Sequence, residues 1–211
     1  MYEIEKRILD LILGIVVGLI FLPLCVLIAV AIKFTSAGPI FADTPKRVGK
    51  NGKHFYMYKF RSMIQNAHHK IRHSSKFKKL YEEYKKGSYK LKDDPRVTPI
   101  GRFIRRFSLD ELPQVINVLK GEMSMVGPRA YYPDELSVQQ KVFPKSKKYV
   151  QQILKVKPGI TGYWQVSGRS EVNFDKRVKM DADYAKKRSI LYDLWIVVKT
   201  PWAMISGKGA M

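Results

Sequence analysis

The sequence has little cysteine and few acidic residues. Cys25 is the single cysteine among 211 residues, which excludes an internal disulfide framework and a cysteine-rich zinc site. Only 18 Asp and Glu residues stand against 39 Lys and Arg residues, so the formal net charge is +21. The glycine spacings of a Walker A loop and of a dinucleotide fingerprint are both missing. The charge excess instead indicates anionic partners: nucleic acid, an anionic membrane surface or phosphorylated substrates.

One long stretch of the chain carries no charge. From Leu11 to Ile32 there are 22 consecutive uncharged and mostly apolar residues. As a straight helix they would reach about 33 Å, enough to cross a hydrocarbon core of about 30 Å. Three interpretations compete: a cleaved signal peptide, a spanning anchor, and a re-entrant helix that enters the bilayer and leaves on the same face. A length of 22 residues is long for the apolar part of a signal peptide.

Pro23 and the flanking charges favour the re-entrant helix. Pro23 lies near the middle of the run, where it removes one backbone hydrogen bond and bends the helix. Basic residues flank both ends, at positions 6–7 and 46–47, whereas a spanning helix normally has its Lys and Arg at one end. The arms before and after Pro23 would be about 18 and 14 Å long, so neither crosses the bilayer alone. The residues alone still leave two interpretations open: a spanning anchor, and a re-entrant helix that breaks near Pro23 and returns.

Downstream of this run, the sequence predicts one domain of short helices and a hairpin. The turn at Gly49–Gly52 and the alternating stretch 54–60 predict a β-hairpin. Apolar residues at helical spacing predict an amphipathic helix over 71–86 that ends at Gly87. Residues 100–107 predict a second, strongly basic helix.

Two adjacent acids, Asp110 and Glu111, follow this basic helix. Ser108 and Glu111 have the spacing of a capping box, so one interpretation of the pair is structural. The other is catalytic, because a first helical turn attracts anions, and acids beside arginines suit phosphate chemistry with a divalent metal. The residue pattern leaves both interpretations open. The neighbouring arginines are Arg102, Arg105 and Arg106.

Two turns that contain glycine each present an arginine. Arg129 follows Gly127-Pro128, and Arg169 follows Gly168 in the tract KPGITGYWQVSGRS. A guanidinium group on a stiff turn matches the oxygens of a phosphate well. Each turn alone is a weak motif.

Taken in order, three tracts carry a family resemblance. They are RVGKNGKHFYMYKFRSM, DPRVTPIGRFIRRFSLDELPQVINVLKGEMSMVGPRA and KPGITGYWQVSGRS. Together with the N-terminal apolar segment, they closely resemble the bacterial sugar transferase family. The members that this chain resembles are monotopic phosphoglycosyl transferases acting on polyprenyl phosphate. The resemblance covers essentially the whole chain.

This resemblance implies a reaction in two steps. An aspartate attacks the β-phosphorus of a UDP-sugar, releases UMP and holds the phosphosugar covalently; polyprenyl (undecaprenyl) phosphate then takes the phosphosugar. Such reactions initiate the assembly of exopolysaccharide, capsule or O-antigen-type glycans. By position, Asp110 would be the nucleophile and Glu111 the ligand of Mg²⁺. The phosphate-binding residues implied are Arg105, Arg129 and Arg169, with Lys59 and Arg61 of KFRSM as further candidates. The tract 164–170 looks most like that of relatives that transfer galactose or glucose phosphate.

The resemblance also implies a fold and a location. The expected fold is α+β and mostly helical, with a membrane segment over 1–39 broken at Pro23, re-entrant or spanning. A cytosolic catalytic domain with interfacial amphipathic helices follows over 40–211. The protein would lie on the cytoplasmic face of the bacterial plasma membrane, in contact with lipid and without nucleic acid. A homodimer is left open.

Two alternatives from other classes remain. A non-catalytic basic membrane protein that binds anionic lipid would explain the charge, but not the acid pair beside three arginine-bearing segments. An ordinary UDP-sugar glycosyltransferase would release UDP instead of UMP. Among the remaining residues, Asp193 in an apolar setting predicts an ion pair with Lys6 or Arg7. His69 and His73 are expected to form a surface pair and not a metal site.

Overall fold

The protein, represented by a computed structural model, is mostly helical. The structure describes residues 1–86, 89, 91, 93–167 and 173–205. In this part of the chain the helices are α1 Tyr2–Thr35, α2 Ala67–His73, α3 Lys78–Lys86, α4 Pro99–Arg106, α5 Val115–Leu119, α6 Pro133–Val142, α7 Lys147–Ile153, α8 Tyr163–Ser167, α9 Phe174–Lys187 and α10 Ile190–Ile205. The strands are β1 Arg47–Val48, β2 His54–Phe55, β3 Ser124–Val126 and β4 Gly159–Thr161.

The strands form two small sheets. β1 and β2 pair antiparallel around the predicted turn, which confirms the hairpin. Asn51 in this turn has a φ of 56°, a left-handed conformation that asparagine tolerates better than most residues. β3 and β4 pair parallel, with Ser124 opposite Gly159. Gly127 and Gly159 pack so closely that a Cβ on Gly159 would lie 2.1 Å from the Gly127 nitrogen. Glycine is therefore required where the two strands meet.

Helix α1 is one continuous helix with Pro23 inside it. It is long and apolar enough to cross a membrane, and only 11% of its most apolar stretch of 18 residues is buried. The predicted break at Pro23 is wrong as an interruption of the helix. An interior proline removes a single hydrogen bond, which bends a helix without having to end it. If the chain changes direction in the membrane, α1 must therefore bend without a break in its helical structure.

Both halves of α1 pack against the rest of the protein. In the N-terminal half, Leu13 and Val17 contact a core cluster that includes Met123, Tyr184 and Ile196. The C-terminal half contributes to a second cluster, whose buried members are Ile28, Ile32, Phe60 and Ile104. The opposite side of the helix is exposed along its length; for example, Leu19 and Leu27 are each 66% exposed.

A buried ion pair fixes the start of α1. The Lys6 Nζ atom donates to the Asp193 Oδ2 atom of α10 at 2.7 Å, which confirms the predicted pairing. Asp193 also accepts from the hydroxyl groups of Tyr2 and Tyr184. Its charge is therefore satisfied although the residue is fully buried.

Two local predictions are wrong. The single helix expected over 71–86 is divided into α2 and α3, because Ser74 is extended between them; Gly87, its predicted end, lies outside the described residues. Ser108 does not form a capping box: its φ is 56° and its side chain makes no capping hydrogen bond. The residues after it form a 3₁₀ helix, Leu109–Gln114, which leads into α5.

Candidate active site

The 3₁₀ helix brings the acid pair beside Lys59. The backbone N–H of Phe60 donates to the carbonyl oxygen of Asp110 at 2.9 Å. This hydrogen bond joins two segments 50 residues apart and places Lys59 next to both acids. Pro113 lies inside the same short helix, and its fixed φ limits the conformations available to the segment. The backbone therefore holds Asp110 in place without using its side chain.

Lys59 binds the two carboxylates unequally. Its Nζ atom lies 2.5 Å from Glu111 Oε1 and 3.8 Å from Asp110 Oδ2. Burial raises the pKa of Asp110, and Lys59 only partly opposes this effect. Burial also acts to raise the pKa of Glu111, but the Lys59 charge and hydrogen bond outweigh it, so that this pKa is lowered. Asp110 is thus the more basic carboxylate of the pair, as suits a nucleophile, and Glu111 the better fixed charge.

A cavity of about 500 Å³ opens over the acid pair. The structure brings six of the seven predicted site residues together in its lining, although they come from four separate segments of the sequence. Arg169, the seventh, lies outside the described residues. The catalytic and binding roles of the six remain predictions. They are Lys59, Arg61, Arg105, Asp110, Glu111 and Arg129.

Several guanidinium atoms in this lining have no protein partner. Among the described residues, Arg61 Nη1, Arg105 Nη1 and Arg129 Nε are buried and make no hydrogen bond. Leaving a buried charged donor unpaired costs free energy unless a ligand satisfies it. Because the three arginines line one cavity together with Lys59, the arrangement favours a polyanionic ligand such as a diphosphate.

Sequence reasoning missed several residues of the cavity. Arg47 is 5% exposed, stacks 3.3 Å from the centroid of the Tyr132 ring, and donates to the Ala130 carbonyl at 3.1 Å. His68 also lines the cavity, and burial together with Arg47 lowers its pKa to about 3, so its ring is neutral at physiological pH. Trp164, for which the sequence indicated only the tract 164–170, has its ring centroid 5.8 Å from the Arg129 guanidinium carbon. Arg47 opens the first of the three family tracts. This membership was the only feature of the sequence that linked Arg47 to the site.

Asp181 supports the Arg129 turn from behind. Its Oδ2 atom accepts from the backbone N–H of Arg129 at 3.1 Å and from the Tyr131 hydroxyl at 3.2 Å. The residue is fully buried, and burial raises its pKa to about 7. Asp181 and Asp183 form a D-x-D pattern within α9. Because Asp181 is buried and hydrogen-bonded to Arg129 and Tyr131, it stabilises the fold in this pattern.

We expect the stability of the protein to depend on pH through Asp181. Its folded pKa of about 7 exceeds an unfolded value of about 3.9, so the folded state binds the proton more tightly. The free energy of unfolding should therefore fall as pH rises from about 4 to 7, by up to about 1.4 kcal/mol per pH unit from this group. Urea unfolding in detergent at pH 5, 6, 7 and 8 measures this slope.

Asp181→Asn is the matched variant, because the amide oxygen still accepts both hydrogen bonds. Its unfolding free energy should lack this part of the slope below pH 7 and should run parallel to that of the wild type at higher pH. Identical slopes for the two proteins between pH 5 and 7 would contradict the assignment.

Fold and site together define a class of protein: one with a helix long and apolar enough to cross a membrane, and with an acid pair in a cavity lined by arginine and lysine. The sequence model of the family described as bacterial sugar transferase matches residues 1–207. The chain belongs to this family, which confirms the resemblance seen in the motifs.

Named relatives are similar over nearly the whole chain. The exopolysaccharide production protein ExoY of Sinorhizobium fredii is 39% identical over 98% of this chain and 88% of its own length. The undecaprenyl-phosphate galactose phosphotransferase of Salmonella typhimurium is 38% identical over 97% of this chain. The undecaprenyl-phosphate glucose phosphotransferase of Komagataeibacter xylinus is also 38% identical, over 93% of this chain. The chain spans 41% and 35% of the length of these last two relatives.

Proposed function

We propose that this protein transfers a sugar-1-phosphate from a UDP-sugar to polyprenyl phosphate and releases UMP. The observation that carries this proposal is the acid pair of buried Asp110 and partly buried Glu111, held by Lys59 in a cavity whose arginines have unpartnered guanidinium atoms. The names of the relatives support it, since two are undecaprenyl-phosphate sugar phosphotransferases and one is an exopolysaccharide production protein. The expected product is a polyprenyl-diphosphate-sugar that initiates glycan assembly.

In the first step, Asp110 acts as the nucleophile. A carboxylate oxygen of Asp110 forms a bond to the β-phosphorus, and the bond from that phosphorus to the oxygen bridging the two phosphates breaks. UMP leaves with the bridging oxygen. Attack by an anion on an anionic phosphoryl group requires neutralisation of charge, which Lys59, Arg105 and Arg129 provide.

In the second step, the phosphate of the polyprenyl lipid attacks the same phosphorus. The new bond joins the two phosphates, and the bond to Asp110 breaks, which regenerates the carboxylate. Because each step displaces one group from the same phosphorus, the same cations stabilise both transition states.

The residues present fit a magnesium ion. Asp110 and Glu111 provide two adjacent carboxylates, and Lys59 already places one positive charge against them. Asp94 also lines the cavity, but both of its oxygens accept from Arg96. Mg²⁺ is commonly bound by one or two carboxylates together with substrate phosphates, so a third protein ligand is not needed. Glu111 would hold the ion with the diphosphate, and the ion would supply further neutralisation of charge.

The experiment that tests this function is incubation of the detergent-solubilised protein with a panel of UDP-sugars and undecaprenyl phosphate. We expect release of UMP, not UDP, with UDP-galactose or UDP-glucose preferred, and loss of release when EDTA removes divalent metal. Release of UDP would indicate an ordinary glycosyltransferase, and no nucleotide release would favour a non-catalytic lipid-binding protein. Preference for an N-acetylated sugar would overturn the choice of hexose.

We further propose that α1 is re-entrant and that the catalytic domain lies on the cytoplasmic face of the membrane. Contacts at both ends of α1 support this topology. Near its start, Arg7 donates to the carbonyl oxygens of Val118 and Leu119. Just beyond its end, Ser36 accepts two hydrogen bonds from Arg61. A spanning helix would separate its ends by about 30 Å of hydrocarbon, whereas here both ends contact the same globular part.

Cysteine accessibility tests this topology. Glu5→Cys and Lys46→Cys, each in a Cys25→Ser background, place a thiol at an exposed position on either side of the apolar run. In intact cells, both thiols should resist a membrane-impermeant reagent, because both lie inside. Both should react after the membrane is permeabilised, which is the control. Labelling of position 5 alone in intact cells would mean that α1 spans the membrane.

A further inference from the structure

The cavity over the acid pair has two walls of different chemistry. One wall comes from α2, α3 and the residues directly before and after them, and its side chains are mostly polar or aromatic. We call it the α2–α3 wall: Asn66, His68, Tyr84, Tyr89 and Leu91. The other comes from β4, α8 and α10, and its side chains are mostly apolar. We call it the α10 wall: Ile160, Trp164, Val166, Ala203 and Met204.

The α10 wall is one connected unit. The Thr161 and Thr200 hydroxyl groups lie 2.8 Å apart and join β4 to α10. The Gln165 side chain donates to the Ile160 carbonyl at 2.9 Å and joins α8 to β4. The wall is also adjacent to the phosphate-binding groups, since Trp164 packs against the Arg129 guanidinium. A lipid chain along this wall would therefore place its phosphate beside Arg129.

The outer surfaces behind the two walls also differ. The exposed residues of α2 and α3 include Lys70, Lys78 and Lys79, which suit contact with water. The outer face of α10 is apolar instead: Leu191, Val198 and Trp202 are 80%, 76% and 75% exposed. These outer residues and the inner Thr200, Ala203 and Met204 lie on opposite sides of one helix, as the spacing of 3.6 residues per turn requires.

We propose that the α10 wall binds the isoprenoid chain of the acceptor, polyprenyl phosphate, and that the UDP-sugar enters along the α2–α3 wall. This inference rests on the proposed function. The outer face of α10 gives an apolar environment to the part of the chain outside the cavity, and the inner face continues that environment to Arg129. Apolar surface that binds a hydrocarbon chain loses contact with water, which favours binding. The lysine-rich exposed surface of α2 and α3 suits an anionic, water-soluble donor.

Separate measurement of the two steps tests this inference. Ala203→Phe places a bulky ring in the α10 wall, and Met204→Gln places a polar amide there. Release of UMP in the absence of acceptor reports the first step, and transfer to acceptor reports the second. Both variants should keep the first step within about twofold of wild type but raise KM for undecaprenyl phosphate by about tenfold. A short acceptor, geranyl phosphate, should be affected much less, because it lacks most of the chain.

Val142→Phe is the matched control, since it adds the same ring at an exposed position of α6 that is not part of the cavity lining. It should change neither step, and the unfolding temperatures of all variants should match. Failure of wild type to release UMP would refute the proposed function itself. If wild type is active but Ala203→Phe and Met204→Gln slow both steps alike, or leave the KM for undecaprenyl phosphate unchanged, the α10 wall does not bind the chain.

Discussion

Asp110→Asn should abolish covalent labelling of the protein by the phosphosugar and lower turnover by about 10³-fold or more. The amide is close in size to the carboxylate but is not a nucleophile, so the first step stops. The fold should be unaffected, because the hydrogen bond from Phe60 ends on the backbone carbonyl of Asp110 and not on its side chain. Incubation with a UDP-sugar radiolabelled in the sugar, followed by denaturing electrophoresis, measures the labelling.

Asp43→Asn is the control for this experiment. Asp43 is an exposed carboxylate that lines the same cavity, and its substitution should leave labelling and turnover near those of wild type. Substantial turnover by Asp110→Asn would remove Asp110 from the role of nucleophile. Equal loss in the two variants would indicate a general effect of cavity charge instead of nucleophilic attack.

Lys59→Ala should lower turnover by about 10²-fold or more, because one ammonium group contacts both acids and, in the proposed reaction, would neutralise the transferred phosphate. Without it, two adjacent carboxylates share a site with less positive charge. The pKa of Glu111, which Lys59 lowers, should rise. The acidic limb of the pH–rate profile should therefore move to higher pH. The free energy of unfolding should fall by about 1–3 kcal/mol, less than for a fully buried pair, since Glu111 keeps some exposure to water.

Lys59→Arg distinguishes the effect of the positive charge at position 59 from the effect of the shape of the side chain. It keeps the positive charge, so the pH–rate profile should stay close to that of wild type even if turnover falls. Turnover as a function of pH, together with urea unfolding of each variant, provides the measurements. An unchanged acidic limb in Lys59→Ala would mean that Lys59 does not control the ionisation of the acid pair.

The sequence determined the features that depend on neighbouring residues or on a long, ordered set of motifs. The uncharged run 11–32 required an apolar surrounding, and the Gly49–Gly52 turn required a hairpin, since both follow from local composition and backbone freedom. The three tracts determined the family. The pairing of Lys6 with Asp193 was also predictable, although 187 residues separate them, because a charge in an apolar segment requires a partner.

Only the tertiary structure decided which residues surround the acid pair. Arg47 and His68 line the same cavity as the acids because the fold brings the hairpin and α2 to it, and no local sequence pattern encodes that placement. Asp181 accepts a hydrogen bond from the Arg129 backbone because α9 packs against the turn that contains Arg129. Tertiary contacts also overrode local preference at Ser108, where the residues fit a capping box but the chain turns through a left-handed conformation. The physical reason is the same in each case: long-range packing and hydrogen bonds outweigh the small free energies of local propensity.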